Sequence, residues 1–213
     1  WNYNLQYLNY INDESINLNL RLKLIHNLSY EIINNNVIVE PYPVSIRIIN
    51  LFLFHQKHPI KNKLVIKSIL QQVGYLEKNL EYHLMANHLL ENIFSLFISG
   101  HFLMDKALII KSSKLLIDEL EKQILKDGAH YECSPMYHSI ILSKLFLCIE
   151  VGRKKNIMNY SDLTYLENKA SIMFSWLINF SFSDGSWALF NDSALGLGLG
   201  TLELKKCIKL LKI

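Results

Sequence analysis

Proline and glycine are scarce in this chain, 4 and 8 of 213 residues, which is too little turn material for a sandwich or barrel of short strands. What fills the chain instead is Leu, Ile, Asn and Lys, in stretches whose apolar positions recur with helical period. Half of the residues are hydrophobic, enough for one medium domain with a sizeable core or one domain plus an appendage. The expectation is an all-α domain.

The breaks divide it into segments. Residues 1–40 are polar and Asn-rich around apolar positions, and Asn34-Asn35-Asn36 is a clear interruption. In Glu40-Pro41-Tyr42-Pro43, Tyr42 precedes a proline and is expected to be extended, with Pro43 opening a helix to about Gln56. His58-Pro59 closes that helix. Further helices are predicted over 64–81, 85–102 and 104–125, where Leu116, Leu120 and Ile124 recur among charged residues. Asp127-Gly128 is read as the stop of the last of these. Ser134-Pro135, an N-cap residue followed by proline at the first helical position, opens a helix to about Val151. Another spans about 162–181, with Asp162 as cap. A turn-rich stretch follows, and a last helical piece covers about 201–212. Short connections between successive helices predict antiparallel hairpins.

Composition also excludes functions. A net charge of +3 without a basic stripe argues against a nucleic-acid binder and permits an acidic ligand. Gly152-Arg153-Lys154-Lys155 reads as a solvated loop after a helix. Cys133, Cys148 and Cys207 lack metal-ligand spacing and read as small core residues, so neither a metal site nor a disulfide framework is expected. No apolar run reaches the roughly 18 residues of a membrane span. Gly196, Gly198 and Gly200 alternate with leucines but follow no strand, so they form no nucleotide fingerprint.

Two segments carry chemistry. At about 100° per residue, Ala86, Leu90, Ile93, Phe94 and Phe97 share one arc of the helix over 85–102, whereas Asn87, His88, Glu91, Asn92, Ser95 and Ser99 share another. Asn87, His88 and Glu91 are spaced so that their side chains can touch, and a Glu beside a His favours the charged ring. Such an arc also fits a solvated outer face, but it contains neither Lys nor Arg, and short amides and hydroxyls suit a partly buried cleft. The second segment runs from Asp127 to His138. With Ser134 as cap, Tyr137 is the third residue of its helix, where the macrodipole favours the phenolate by about 0.3–1 kcal/mol. A larger effect needs cationic neighbours, for which His88, His130 and His138 are candidates. Tyr137 equally reads as a packed residue whose hydroxyl meets one partner.

The string from Ile124 to His138, together with Trp1–Tyr7, Glu40–Asn50, Asn87–Asn92 and Phe190–Ala194, closely resembles heparinase II/III-like polysaccharide lyases along almost the whole chain. Lys126 departs from the family, which commonly has proline there. The resemblance implies an incomplete (α/α) toroid of antiparallel helix hairpins over residues 1–195, with 196–213 the start of a linker toward a C-terminal β-sandwich that this chain lacks. It implies a bacterial, periplasmic or secreted enzyme that performs β-elimination at a uronic acid of an anionic polysaccharide, without a cofactor. By the same resemblance Tyr137 and His88 are catalytic, and Asn87, Glu91 and His138 bind or support substrate. The family's general-base histidine belongs to the β-sandwich. Arg47 and Asn50 match the family as well and read as structural ties of the first toroid helix. Three rivals stand beside this reading: an inactive carbohydrate-binding unit, a glycoside hydrolase using Glu91 with Glu132 or Asp127, and a plain helical scaffold.

Overall fold

The computed structural model describes residues 2–84, 86–155 and 158–213, and among them are nine α-helices, one 3-10 turn and no strand. The helices are α1 (Asn2–Gln6), α2 (Leu18–Ile33), α3 (Pro41–Lys57), α4 (Lys63–Leu76), α5 (Ala86–Leu103), α6 (Lys106–Gln123), α7 (Pro135–Lys155), α8 (Tyr160–Asn179) and α9 (Thr201–Leu211). The 3-10 turn covers Asn9–Asn12. Trp1 and Met85, the expected start of the third long helix, lie outside the described residues.

Asparagine punctuates this chain as a cap. Asn17, Asn62 and Asn159 each accept backbone N–H bonds at the start of α2, α4 and α8, and Asp105 does so for α6. The cap of α8 is thus Asn159, and Asp162 sits inside the first turn as one of the residues it holds. Ser134 caps α7 as expected, its Oγ accepting the Tyr137 N–H at 3.3 Å.

Several expected boundaries move for physical reasons. Tyr42 is helical, because α3 begins at Pro41. N–H groups of a first turn have no intrahelical acceptor, so prolines 41 and 43 forfeit no bond there. α4 ends at Leu76 rather than 81. α6 ends at Gln123, four residues before Asp127, and Gly128 serves a turn instead, with φ +95° and its Cα facing the Ile172 carbonyl. α7 continues through the Gly152–Lys155 segment expected as a loop, and Arg153 there pairs with Glu167 of α8 at 2.6 Å. α2 is a long helix within the Asn-rich region to which no helix was assigned from sequence.

Packing builds two layers of an incomplete toroid. α3 packs on α5, α5 on α7 and α7 on α9, while α4, α6 and α8 lie against α3, α5 and α7 from behind. The larger core joins Phe94 and Phe97 of α5 to Leu116, Leu120, Leu142, Leu145 and Leu177; the smaller joins Ile48, Leu51 and Phe54 of α3 to Ile25, Ile69 and Leu96. α9 contributes Leu204 and Ile208 to the larger core. Of the cysteines, Cys148 is buried as expected, but Cys133 and Cys207 are only half-buried and Cys133 occupies a left-handed turn at φ +51°. No helix among the described residues is long and apolar enough to cross a membrane.

Arg47 and Asn50 do tie α3 to its neighbours. Arg47 is buried, donating from Nε to Gln72 Oε1 (2.6 Å) and from Nη1 to the Gln6 carbonyl (3.1 Å). Asn50 Nδ2 donates to the Tyr7 carbonyl (2.9 Å) and to Asn9 Oδ1 (2.6 Å).

Candidate active site

The polar arc of α5 is not a single outward face. From Leu89 to His101 the helix is buried all round, since α3, α4, α6 and α7 all pack on it. Asn92, Ser95 and Ser99 therefore belong to the interior: Asn92 Oδ1 accepts the Glu81 N–H at 2.9 Å, and its Nδ2 donates to Glu81 Oε2 (2.9 Å) and Ser45 Oγ (3.1 Å). Of the polar arc, the part that is partly open is the first turn, with Asn87 and His88.

There the His88 ring stacks on Tyr42, centroids 4.3 Å apart and planes at 31°, and its Nδ1 lies 3.6 Å from Glu81 Oε1. Asn92 thus fixes the carboxylate that faces His88. One turn deeper, Glu91 is buried and paired with Lys144 of α7, Nζ to Oε1 at 3.2 Å. Burial, and next the charge of Glu91, push the Tyr42 phenol far above its usual range. Tyr137 and Glu81 add smaller charge effects on the same phenol, which places Tyr42 within the electrostatic reach of all three.

Tyr137 forms the other wall. Its Oη donates to Asp192 Oδ2 at 2.7 Å, and this hydrogen bond, followed by burial and the charges of Asp192 and Glu132, pushes the phenol up to about 12. The dipole of α7 favours the opposite direction, but a carboxylate in direct contact outweighs a partial charge at the helix end. The phenolate bias expected from the helix position is therefore reversed, and Tyr137 is an acid at neutral pH. Glu132 bridges the two walls. Its carboxylate accepts the Asn87 backbone N–H and feels His88, yet burial dominates and raises its pKa.

The histidines expected to supply positive charge near Tyr137 are divided by the fold. His130 and His138 are fully buried, and burial pulls them down to about 3 and about 4, so both are neutral. His138 accepts the His130 N–H at Nδ1 (3.2 Å) and meets the Met173 carbonyl at Nε2 (2.9 Å), so its ring is engaged inside the protein and turned away from the cleft. His88 alone of the three is at the opening. Two of the three carboxylates considered for hydrolysis are also engaged: Glu91 by Lys144, and Asp127 by the Ala129 N–H of its own turn.

Residues 44–199, well over half of the chain, match the family model described as Heparinase II/III N-terminus. The chain belongs to this heparinase II/III family. The heparinase-type domain also superposes on the crystal structure of heparinase III with a TM-score of 0.68 at 17% identity, covering 89% of this chain and 33% of that one. On the heparan sulfate lyase HepC from Pedobacter heparinus the TM-score is 0.58 at 19% identity, covering 80% of this chain and 30% of that one. At these identities the likeness is one of fold, the helical toroid, and the chain spans about a third of the length of either structure. No curated protein matches the chain.

Sequence reasoning missed four members of the candidate site. Asp192 and Tyr42 both lie in strings that carry the family resemblance, but turn chemistry and a pre-proline position give neither of them a partner. Lys144 stands seven residues after Tyr137, a spacing that places both on one face of α7 and was a usable signal. Glu81 was placed at the end of a helix that stops five residues earlier.

Proposed function

We propose that this heparinase-type domain binds a uronate-containing anionic polysaccharide and supports β-elimination at the uronic acid, acting outside the cytoplasm, in the periplasm or after secretion. The observation that carries this is the Tyr137 phenol, held protonated by Asp192 at 2.7 Å on a wall that shares Glu132 with Asn87 and His88. The family membership and the heparan sulfate lyase among the similar folds favour this substrate class.

In the elimination a base takes the C5 proton, the electron pair forms the C4–C5 double bond, and the C4–O4 bond breaks. The departing O4 takes the phenolic proton of Tyr137. Negative charge grows on the uronate carboxylate as C5 is deprotonated, and Asn87 with His88 supplies donors there, an arrangement that favours the enolate-like state. Glu91, fixed by Lys144, backs this wall. His138, engaged in the core, is given no substrate contact. Positioned proton transfer contributes about 10²–10⁴ in rate.

The test is ultraviolet detection of unsaturated uronate products from a panel of uronate polysaccharides, with parent and Tyr137→Phe compared. Product from the parent and a loss of about 10² or more in the variant is the expected result. Saturated products would assign a hydrolase, and equal rates in both chains would remove Tyr137 from the chemistry.

A further inference from the structure

The acid assigned to Tyr137 raises a question the helix position alone leaves open: what keeps its proton in place and aimed. The answer lies in the loop between α8 and α9, fifty-five residues away in sequence from the tyrosine it meets. We infer that Asp192 is a positioning residue for the proton of Tyr137, and that the segment Asn191–Ser193 is a clamp that holds it there. This rests on the lyase reading above.

The clamp closes on the start of α7 through several bonds. Ser134 Oγ, the cap of α7, donates to the Asp192 carbonyl at 3.1 Å and lies 2.9 Å from Ser193 Oγ. Ser193 Oγ accepts the Met136 N–H at 3.3 Å, so it satisfies one of the open donors of the first turn. On the other side Asn191 Nδ2 donates to the Cys133 carbonyl at 2.8 Å. Asn191 and Cys133 each have φ +51°, the left-handed region that non-glycine residues avoid. Strain of this kind persists where the surroundings fix it, and here it falls on the two residues that join loop to turn.

The groups facing Tyr137 are Asp192 from the loop, Glu132 from the turn before α7 and Tyr42 from α3. The charges of Asp192 and Glu132 each disfavour a phenolate. Asp192, the only one in hydrogen-bond contact, also sets where the hydroxyl points. A sugar oxygen entering the cleft competes for that proton, and the carboxylate keeps Tyr137 an acid until it does.

The decisive experiment is a tyrosine titration by NMR with ring-¹³C label, Tyr137 being assigned by its absence in Tyr137→Phe. In the parent the Tyr137 midpoint lies near 12, against an ordinary 10.0, so the signal is still that of the phenol at pH 10.5. Asp192→Asn keeps size and an acceptor but removes the charge. The expected midpoint falls by about one unit or more, a roughly tenfold change in acidity, and the phenolate share of the signal at pH 10.5 rises from a few per cent to about a quarter or more. Ser193→Ala, which loosens the clamp and leaves the carboxylate, lowers the midpoint by less and serves if Asp192→Asn does not fold. A Tyr137 midpoint near 10 in the parent, or one unchanged by these substitutions, overturns the inference. The titration needs no turnover, so its failure is separate from failure of the lyase reading. If the chain does eliminate, the alkaline limb of its pH profile falls with the midpoint in Asp192→Asn, a change that a merely structural residue does not produce.

Discussion

The two ends of α5 use the same residue types for opposite purposes. At its start Asn87 and His88 are partly open, with Tyr42, Glu81 and Glu132 gathered around them. Beyond Leu89 the helix is enclosed, and Asn92 spends its amide on Glu81 and Ser45. Ser99 turns inward as well, to the Ser95 carbonyl at 2.7 Å. An asparagine five residues from another on the same helix is therefore scaffold in one case and candidate ligand-binding group in the other. What separates them is depth along the helix axis, since every face of α5 is buried from Leu89 to His101. The two are also coupled, since Asn92 holds the carboxylate that faces His88.

This contrast is open to direct attack. Asn87→Ala should leave stability within about 0.5 kcal/mol, as for other changes outside the core, and lower the elimination rate by about 10²–10³, the cost of losing one donor to a developing oxyanion. Thermal unfolding and product formation, measured on the same preparation, check both halves. Asn92→Ala should do the reverse: it strands the Glu81 N–H and carboxylate in the interior and costs roughly 1–3 kcal/mol of stability, read from denaturant midpoints. If the two variants behave alike, the division of α5 is wrong.

The histidines sharpen the same comparison at smaller scale. His130 and His138 are held neutral by burial, at about 3 and about 4 against an ordinary 6.5. The unfolded chain takes up protons below 6.5 while the folded chain does not, so stability is complete above that pH and is lost as pH falls toward 4. From pH 7 to pH 6 the loss should be about 1 kcal/mol. Replacing either imidazole by Gln in a chain that still folds should flatten this slope.

Much of this was legible in the sequence, for identifiable reasons. Helices announce themselves by period, and Ser134-Pro135 marked the start of α7 because a cap and a first-turn proline are local rules. Arg47 and Asn50 stood out through the family resemblance, and the bonds to Gln72, Gln6, Tyr7 and Asn9 make them ties of α3. Boundaries slipped where local rules compete: Tyr42 is pre-proline, yet the first helical turn needs no donors. The arc of α5 was read at the right angle but as one face, because periodicity carries no information on which neighbours enclose a helix. The direction of the Tyr137 shift was beyond local reading altogether. It depends on Asp192, brought into contact by the path of the loop between α8 and α9, and no spacing rule links positions so far apart. His138 illustrates the same limit in reverse, a histidine beside the proposed acid in sequence whose ring points into the core.

The central claim is that the open end of α5 and Tyr137 form a site for a uronate carboxylate. Calorimetric binding of a uronate oligosaccharide, compared with the same oligosaccharide after reduction of its carboxyl groups to alcohols, tests it most directly. The account predicts binding of the acidic form, at least about tenfold weaker binding of the reduced form (a difference of about 1.4 kcal/mol), and loss of that preference in Asn87→Ala. Equal binding of the two forms, or a preference that survives Asn87→Ala and His88→Ala together, would contradict it.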